Sequence, residues 1–435
     1  MKTVSNLVQN KKEKFEISER SFLSPCAIVP FKHARNLSYT CIVKEYDRVT
    51  EGQIIGLTMD ENTNEKSYIH SPVPGMVQSI EECFLPDGTK GACAKIRVEG
   101  AFSYLGKNLP PSEWQWYSAS ELLNTIAEKG VVNTFGSGED LYRQIVRCNV
   151  SQGRFVIVRL FDDDPSHQTD TFVASHYTRQ VLDGVHIVAQ TLKAQGIIFA
   201  VPRKSSIEIP SDEFGTMPVF TLEVDVRRYP SGFRENLIHL IKKASKTPEQ
   251  KIFDRVSRYS LFVDPETLYS VYEAVTFGKP VVETFVHVTG SCLASAAMLK
   301  VRVGSTIRSL VDQCGGFRSK PAKIIVNGMV QGSEVIDLDT AITKTVKSIA
   351  FVPKKQLCDQ VGSTCIRCGK CRAICPEEIY PDLMYRHTLG GKQIGRDMLR
   401  TATLCSGCAL CNSICPSRLP LCQIIAALRD KNEDN

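Results

Sequence analysis

Residues 26–100 alternate short apolar stretches with turn signals, as in YDRVTEGQIIG, SPVPGMVQSI and FLPDGTKGACAKIRVEG. That pattern predicts a small β domain. From about residue 118 the period lengthens. SASELLNTIAEKG predicts a helix with Ser118 as N-cap, Glu121 in the capping-box position and Gly130 just past its end. FVIVRL (155–160) and GIIFAV (196–201) are apolar runs suited to buried strands, and TDTFVASHYTRQVLDGVHIVAQTLKAQ between them has helical spacing. Strand, helix, strand predicts a parallel α/β unit, extended by PVFTLEV (218–224) and SGFRENLIHLIKKA (231–244). Near 281 a third unit begins. VVETFVHVTG, VRVGSTIRSLVDQCGG and AKIIVNGMVQGSEVIDLDTAITK supply strand and helix pieces compatible with a β-grasp domain, and a cysteine-rich end follows from 353.

Length agrees with several units, because 435 residues exceed what one hydrophobic core supports. The chain is 43% hydrophobic and 23% charged and contains no run of about 18 apolar residues, so no membrane-crossing segment is expected. The charged start MKTVSNLVQNKKEKFEISER lacks an apolar h-region, which makes the cytoplasm the expected compartment. A net charge of +6 is too diffuse for a nucleic-acid footprint. Around the cysteines, however, Lys354, Lys355, Arg367, Lys370, Arg372, Arg386, Lys392, Arg396 and Arg400 outnumber the acids. This excess is read either as a solvated face or as a docking surface for an acidic partner.

Candidate chemistry lies in the cysteines. Of the seventeen, eight form two runs, CIRCGKCRAICP (365–376) and CSGCALCNSICP (405–416). Four thiolates match the four irons of a [4Fe–4S] cubane, and C-x-x-C-x-x-C lets three converge from one loop. In the two-cluster ferredoxin arrangement the terminal cysteine of each run ligates the other cluster. Cys365, Cys368 and Cys371 would then share one cluster with Cys415, and Cys405, Cys408 and Cys411 another with Cys375. Pro376 and Pro416 each force a turn after the last cysteine, and the matching continuations imply an internal duplication. A pair of zinc sites is the alternative, but those use C-x-x-C pairs rather than runs ending in Cys-Pro. The nine scattered cysteines (26, 41, 83, 93, 148, 292, 314, 358, 422) are read as buried thiols.

Taken in order, AIVPFKHARN, YDRVTEGQIIG, SPVPGMV, YPSGFRENLI (229–238), DPETLYSVYEAVTFGKPVVETFVHVTG (264–290), GMVQGSEVIDLDTAITK (328–344) and the two cysteine runs resemble the C subunit of the Rnf electron-transport complex, an ion-translocating oxidoreductase. The resemblance covers nearly the whole chain. It implies a multidomain α/β and α+β architecture: an N-terminal segment (1–25), a barrel-sandwich hybrid domain (26–100), a Rossmann-like α/β domain related to the complex I flavoprotein (101–280), a soluble-ligand-binding β-grasp domain (281–352) and a two-cluster ferredoxin-like module (353–435). It also implies FMN with NADH oxidation in the Rossmann-like domain, and a peripheral place on the cytoplasmic side of the membrane beside membrane subunits. The carrier-type turn SPVPGMV has no suitably placed modified lysine, Lys66 lacking the flanking pattern. A cobalamin reductase shares the α/β, β-grasp and cluster parts. The A subunit of the sodium-pumping NADH:quinone reductase has no clusters.

The nucleotide loop departs from the family pattern. Where that pattern has a glycine-rich stretch followed by lysine, this chain has GVVNTFGSGEDLYRQ (130–144). Gly136 and Gly138 remain, Phe135 replaces a glycine, Glu139 and Asp140 stand for Phe and Pro, and Gln144 falls where the lysine is expected. A phosphate cradle needs bare N–H groups and a positive field. At about 4 Å and an effective dielectric near 20, like unit charges repel by roughly 4 kcal/mol, so two carboxylates there oppose a phosphate. The acidic FDDDPSHQTD (161–170) is expected as a solvated loop, with a cation site at Asp162 to Asp164 as the alternative, and YPSGFRENLI is expected to serve packing. The expected function is an iron–sulfur relay between a soluble carrier (ferredoxin, flavodoxin or NADH) and membrane subunits. Its alternatives are an FMN-dependent NADH dehydrogenase, a cobalamin reductase-like flavoprotein and a scaffold stapled by its clusters.

Overall fold

The computed structural model describes residues 4–5, 15–18, 22–34, 37–59, 66–136, 138–150, 154–205, 207–247, 249–357, 364–390 and 395–433. Cys358 and Lys392 lie outside them, as does much of the 1–25 segment.

In the first unit, strands Cys26–Pro30, Lys90–Val98, Gly75–Phe84 and Arg48–Val49 form an antiparallel sheet in that order. Thr40–Cys41, Ile54–Met59 and Lys66–His70 form a second sheet. Alternating side chains such as Val29, Ile55, Ile69, Val77 and Ile96 meet between the two in one core. The SPVPGMV turn needs its glycine: a Cβ on Gly75 would stand 1.9 Å from the Arg97 carbonyl oxygen. Two of the scattered cysteines differ from expectation, since Cys83 and Cys93 are joined as a disulfide across the longest hairpin. Their spacing gives no sign of it, because strand register alone brings them together.

The second unit is a four-stranded parallel sheet in the order Val219–Val224, Gly196–Pro202, Phe155–Arg159, Leu261–Val263. Helices cover both faces, which is why the central strands read as unbroken apolar runs. Val156 and Val158 point toward helices Ala119–Glu128, Leu141–Val150, Thr178–Leu192 and Pro265–Phe277. Phe155 and Ile157 point toward Arg234–Ala244. Ser118 caps the first of these helices in a full capping box with Glu121. The 169–195 stretch departs from one continuous helix. It divides at Tyr177 into Thr169–His176 and Thr178–Leu192, so its aromatic side chains pack in a cluster with Tyr269 and Phe285. Gly184 lets two helices cross closely, a Cβ there falling 2.2 Å from the Leu268 carbonyl oxygen.

The third unit is a six-stranded mixed sheet: Glu16–Ser18, Ala297–Arg302, Glu283–Thr289, Ser348–Val352, Lys323–Val326, Ser333–Val335. Its core includes Ile307, Leu310 and Val311 of helix Ile307–Gln313. Two N-terminal pieces tie units together, Glu16–Ser18 pairing with Ala297–Leu299 and Val4–Ser5 with Arg228–Tyr229. The C-terminal lobe consists of helices Lys370–Ile374, Pro381–Leu389, Arg396–Ala402, Leu410–Ile414 and Leu421–Glu433. Among the described residues no helix is long and apolar enough to cross a membrane.

Candidate metal centres and a polar cavity

Each cysteine run is a loop that opens into a short helix. The backbone takes the left-handed conformation at Arg367, Gly369 and Glu378 in the first run and at Gly407, Ala409 and Arg418 in the second. These positions match at an offset of 40, although glycine occupies different members of the two sets. A non-glycine residue in that region costs about 1–2 kcal/mol, so the shared path is imposed by the lobe rather than by glycine content. Its effect is to turn the sulfurs inward.

Cys365, Cys368, Cys371 and Cys415 line one cavity, together with Asp382, Leu419 and Leu421. Cys405, Cys408, Cys411 and Cys375 line a second with Ile379 and Pro381. Each cavity thus collects three cysteines of one run and the last of the other. Among the described residues no set of three or more His, Cys, Asp or Glu gathers tightly enough for a single metal ion. A many-atom cluster spreads its four ligands further apart, and the donor set is the all-sulfur one that such clusters take. Sequence reasoning missed one member: Cys422, set apart as a scattered thiol, also lines the second cavity. No spacing rule marks it, because it enters from the helix after the run.

The two cavities stand in different surroundings. Cys408 and Leu410 pack with Tyr229, Phe233 and Val330, and the Tyr229 hydroxyl donates to the Cys408 carbonyl at 2.8 Å. YPSGFRENLI therefore packs, as expected, and what it packs against is the second thiol site. Around the first site Cys368 and Ile366 are exposed. Of the basic residues there, Arg372 grips Asp382 through two hydrogen bonds of 2.6 and 2.8 Å, with Arg386 at 3.5 Å from the same carboxylate.

Gly136 and Gly138 line a separate polar cavity of about 270 Å³ where the first three units meet. Asp163, His167 and Lys347 form part of its wall, with Lys32 and Asp87 contributed by the barrel unit. The acidic FDDDPSHQTD segment is neither a solvated loop nor a cation site; buried partners take up its carboxylates. His167 meets Asp162 at 2.9 Å and Asp163 at 3.6 Å. Burial works against the charged imidazole, but these carboxylates overcome it and hold His167 up at about 10. Lys347 reaches Asp170 at 2.8 Å and Asp264 at 2.7 Å, and Arg159 reaches Asp170 at 3.1 Å. Burial, opposed by Lys347, pushes Asp170 up to about 7. Asp164 accepts from the N–H groups of Val330 and Gln331, fastening the third unit.

The stretch leading to Gly136 has its backbone donors engaged. The N–H groups of Thr134, Phe135 and Gly136 donate to Thr267 Oγ1, Asn133 Oδ1 and the Thr134 carbonyl. Phe135 sits 4.4 Å from the Arg159 guanidinium. Glu139 and Asp140 do not confront the cavity as unpaired charges: Glu139 bonds Arg147 and Gln144, and buried Asp140 accepts from Tyr39 at 3.2 Å. Gln144 in turn accepts from Asn133 at 2.6 Å. Three N–H groups that could face a phosphate are thus engaged within the protein, and both carboxylates are partnered.

Residues 8–101 match the model of the RnfC barrel-sandwich hybrid domain. The C subunit of the ion-translocating oxidoreductase complex of Buchnera aphidicola subsp. Acyrthosiphon pisum is 23% identical over 396 residues, 90% of this chain and 80% of that protein. Along most of its length, this chain resembles the C subunits of ion-translocating oxidoreductase complexes. Similar relatives include the C subunit of the proton-translocating ferredoxin:NAD(+) oxidoreductase complex of Clostridium ljungdahlii, 24% identical over 79% of this chain and 74% of that one. The C subunit of the Na(+)-translocating ferredoxin:NAD(+) oxidoreductase complex of Acetobacterium woodii is 23% identical over 81% and 79%. Among solved structures, a chain of an NAD+-reducing [NiFe]-hydrogenase in the H2-reduced state aligns with a TM-score of 0.44 and 14% identity, over 72% of this chain and 63% of that one.

Proposed function

We propose that this chain is the iron–sulfur electron-relay subunit of an Rnf-type oxidoreductase, holding one [4Fe–4S] cluster in each thiol cavity. One observation carries the reading: each cavity gathers three cysteines of one run and the terminal cysteine of the other. Cys365, Cys368, Cys371 and Cys415 ligate the first cluster; Cys405, Cys408, Cys411 and Cys375 ligate the second. Bound there, the clusters supply one-electron transfer. The chain's own part is to hold them and to set their surroundings. The second site backs onto the α/β unit through Tyr229, and the first faces solvent beside Ile366 and Cys368. The first is therefore the outer station, where a ferredoxin or flavodoxin docks, and membrane subunits of the complex hold the chain peripherally at the cytoplasmic face. The barrel-sandwich, α/β and β-grasp units, with boundaries near 100, 280 and 352, serve as the frame.

A second reading, an FMN-dependent NADH dehydrogenase, is favoured by the 270 Å³ cavity and by open space beside Gly136. Engaged N–H groups and paired cations weigh against it. Anaerobic purification should give iron and acid-labile sulfide for two [4Fe–4S] clusters. Their visible absorbance should bleach with reduced ferredoxin or flavodoxin and stay unchanged with NADH, with or without added FMN. Bleaching by NADH with tightly held FMN would replace the relay reading by the second.

A further inference from the structure

The two cysteine runs are superposable in sequence at an offset of 40, so each side chain around one cavity has a counterpart around the other. Arg372 corresponds to Asn412, and Asp382 to Cys422. At the first site this pair forms a salt bridge, so Asp382 is held by Arg372 at the cavity edge. At the second site the pair does different work. Asn412 Oδ1 accepts the Cys422 N–H at 2.8 Å while its Nδ2 donates to Gln423 at 2.7 Å. That clamps the first turn of helix Leu421–Glu433 by its backbone and leaves the Cys422 side chain to the cavity.

There Cys422 lines the same cavity as Cys405, Cys408 and Cys411, and packs against the apolar group that includes Cys411. The second cavity is accordingly lined by five sulfurs and the first by four.

We infer that Cys422 is a reserve ligand of the second site, able to take the iron corner served by Cys405 or Cys411. The inference rests on the two-cluster reading above. When Cys405 is replaced, the iron–sulfur bond it would make forms instead with Cys422, whose thiol proton leaves to solvent; no electron is transferred. Among the described residues the first site has no such substitute, since Asp382 is held by Arg372.

The test uses the full chain reconstituted anaerobically as wild type, Cys365→Ala, Cys405→Ala, Cys411→Ala and Cys405→Ala/Cys422→Ala, alanine being unable to ligate. Iron and sulfide per chain are measured together with the electron paramagnetic resonance spectrum after dithionite reduction. Cys405→Ala or Cys411→Ala should keep both clusters with a shifted signal for one, while Cys365→Ala and the double variant should each lose about half the iron. A loss of half the iron in both Cys405→Ala and Cys411→Ala, matching Cys365→Ala, overturns the inference and leaves the relay reading intact. Wild-type protein lacking two clusters overturns both.

Discussion

The thiol cavities and the polar cavity answer the same question, what to do with reactive side chains in a partly buried place, in opposite ways. Around the thiols, cysteines from separate loops line common cavities. Around the polar cavity the charged groups turn to one another. Lys347, Arg159 and His167 are bonded to Asp162, Asp163, Asp170 and Asp264, and the N–H groups of Thr134 and Phe135 are engaged by Thr267 and Asn133. The first arrangement gathers like donors around a shared space. The second ties the α/β unit to the third unit through Lys347.

Breaking the second arrangement should cost stability without touching the first. Lys347→Met leaves Asp170 and Asp264 buried without their shared cation, and removing one partner of a buried pair typically costs about 3–5 kcal/mol. The urea midpoint should fall accordingly while iron per chain stays constant. A shift corresponding to less than about 1 kcal/mol would mean that the network is not what holds the units together.

A smaller effect sharpens the comparison through pH. His167 titrates higher when folded than the ordinary imidazole, so its charge stabilises the fold fully below about pH 6.5; the contribution fades as pH rises and is gone above about 10. The stability gap between wild type and His167→Gln should be roughly 2–3 kcal/mol near pH 6 and should close between those limits. A gap that stays constant across that range would show that the imidazole is held by packing rather than by charge.

The smallest change lies outside both regions and calibrates them. Ser118→Ala removes the cap of helix Ala119–Glu128 and should cost about 1 kcal/mol, read as a thermal midpoint lowered by a few degrees at most, with clusters and pH profile unaltered.

Local rules were legible where the chain needs only its neighbours. The Ser118 cap, the buried strands at 155 and 196 and their parallel pairing follow from spacing and apolar runs. What escaped reading depends on partners far away in sequence. FDDDPSHQTD has the composition of a wet loop, and only the arrival of Lys347 and the Val330 and Gln331 amides makes it an interior clamp. Cys422 resembles any small apolar residue until the helix start is fixed by Asn412. The Cys83–Cys93 disulfide depends on hairpin register, and the break at Tyr177 on aromatic partners at 269 and 285.

The pairing of Val4–Ser5 with Arg228–Tyr229, and of Glu16–Ser18 with Ala297–Leu299, bears on how the molecule is made. Strands emerging early from the ribosome must wait for sheets completed more than two hundred residues later, and contacts of such separation form slowly. Because Val4 and Tyr229 also back Cys408, the last stitch of assembly and the closing of the second thiol cavity share one seam. A bulky fusion at the leading end of the chain should therefore delay both together.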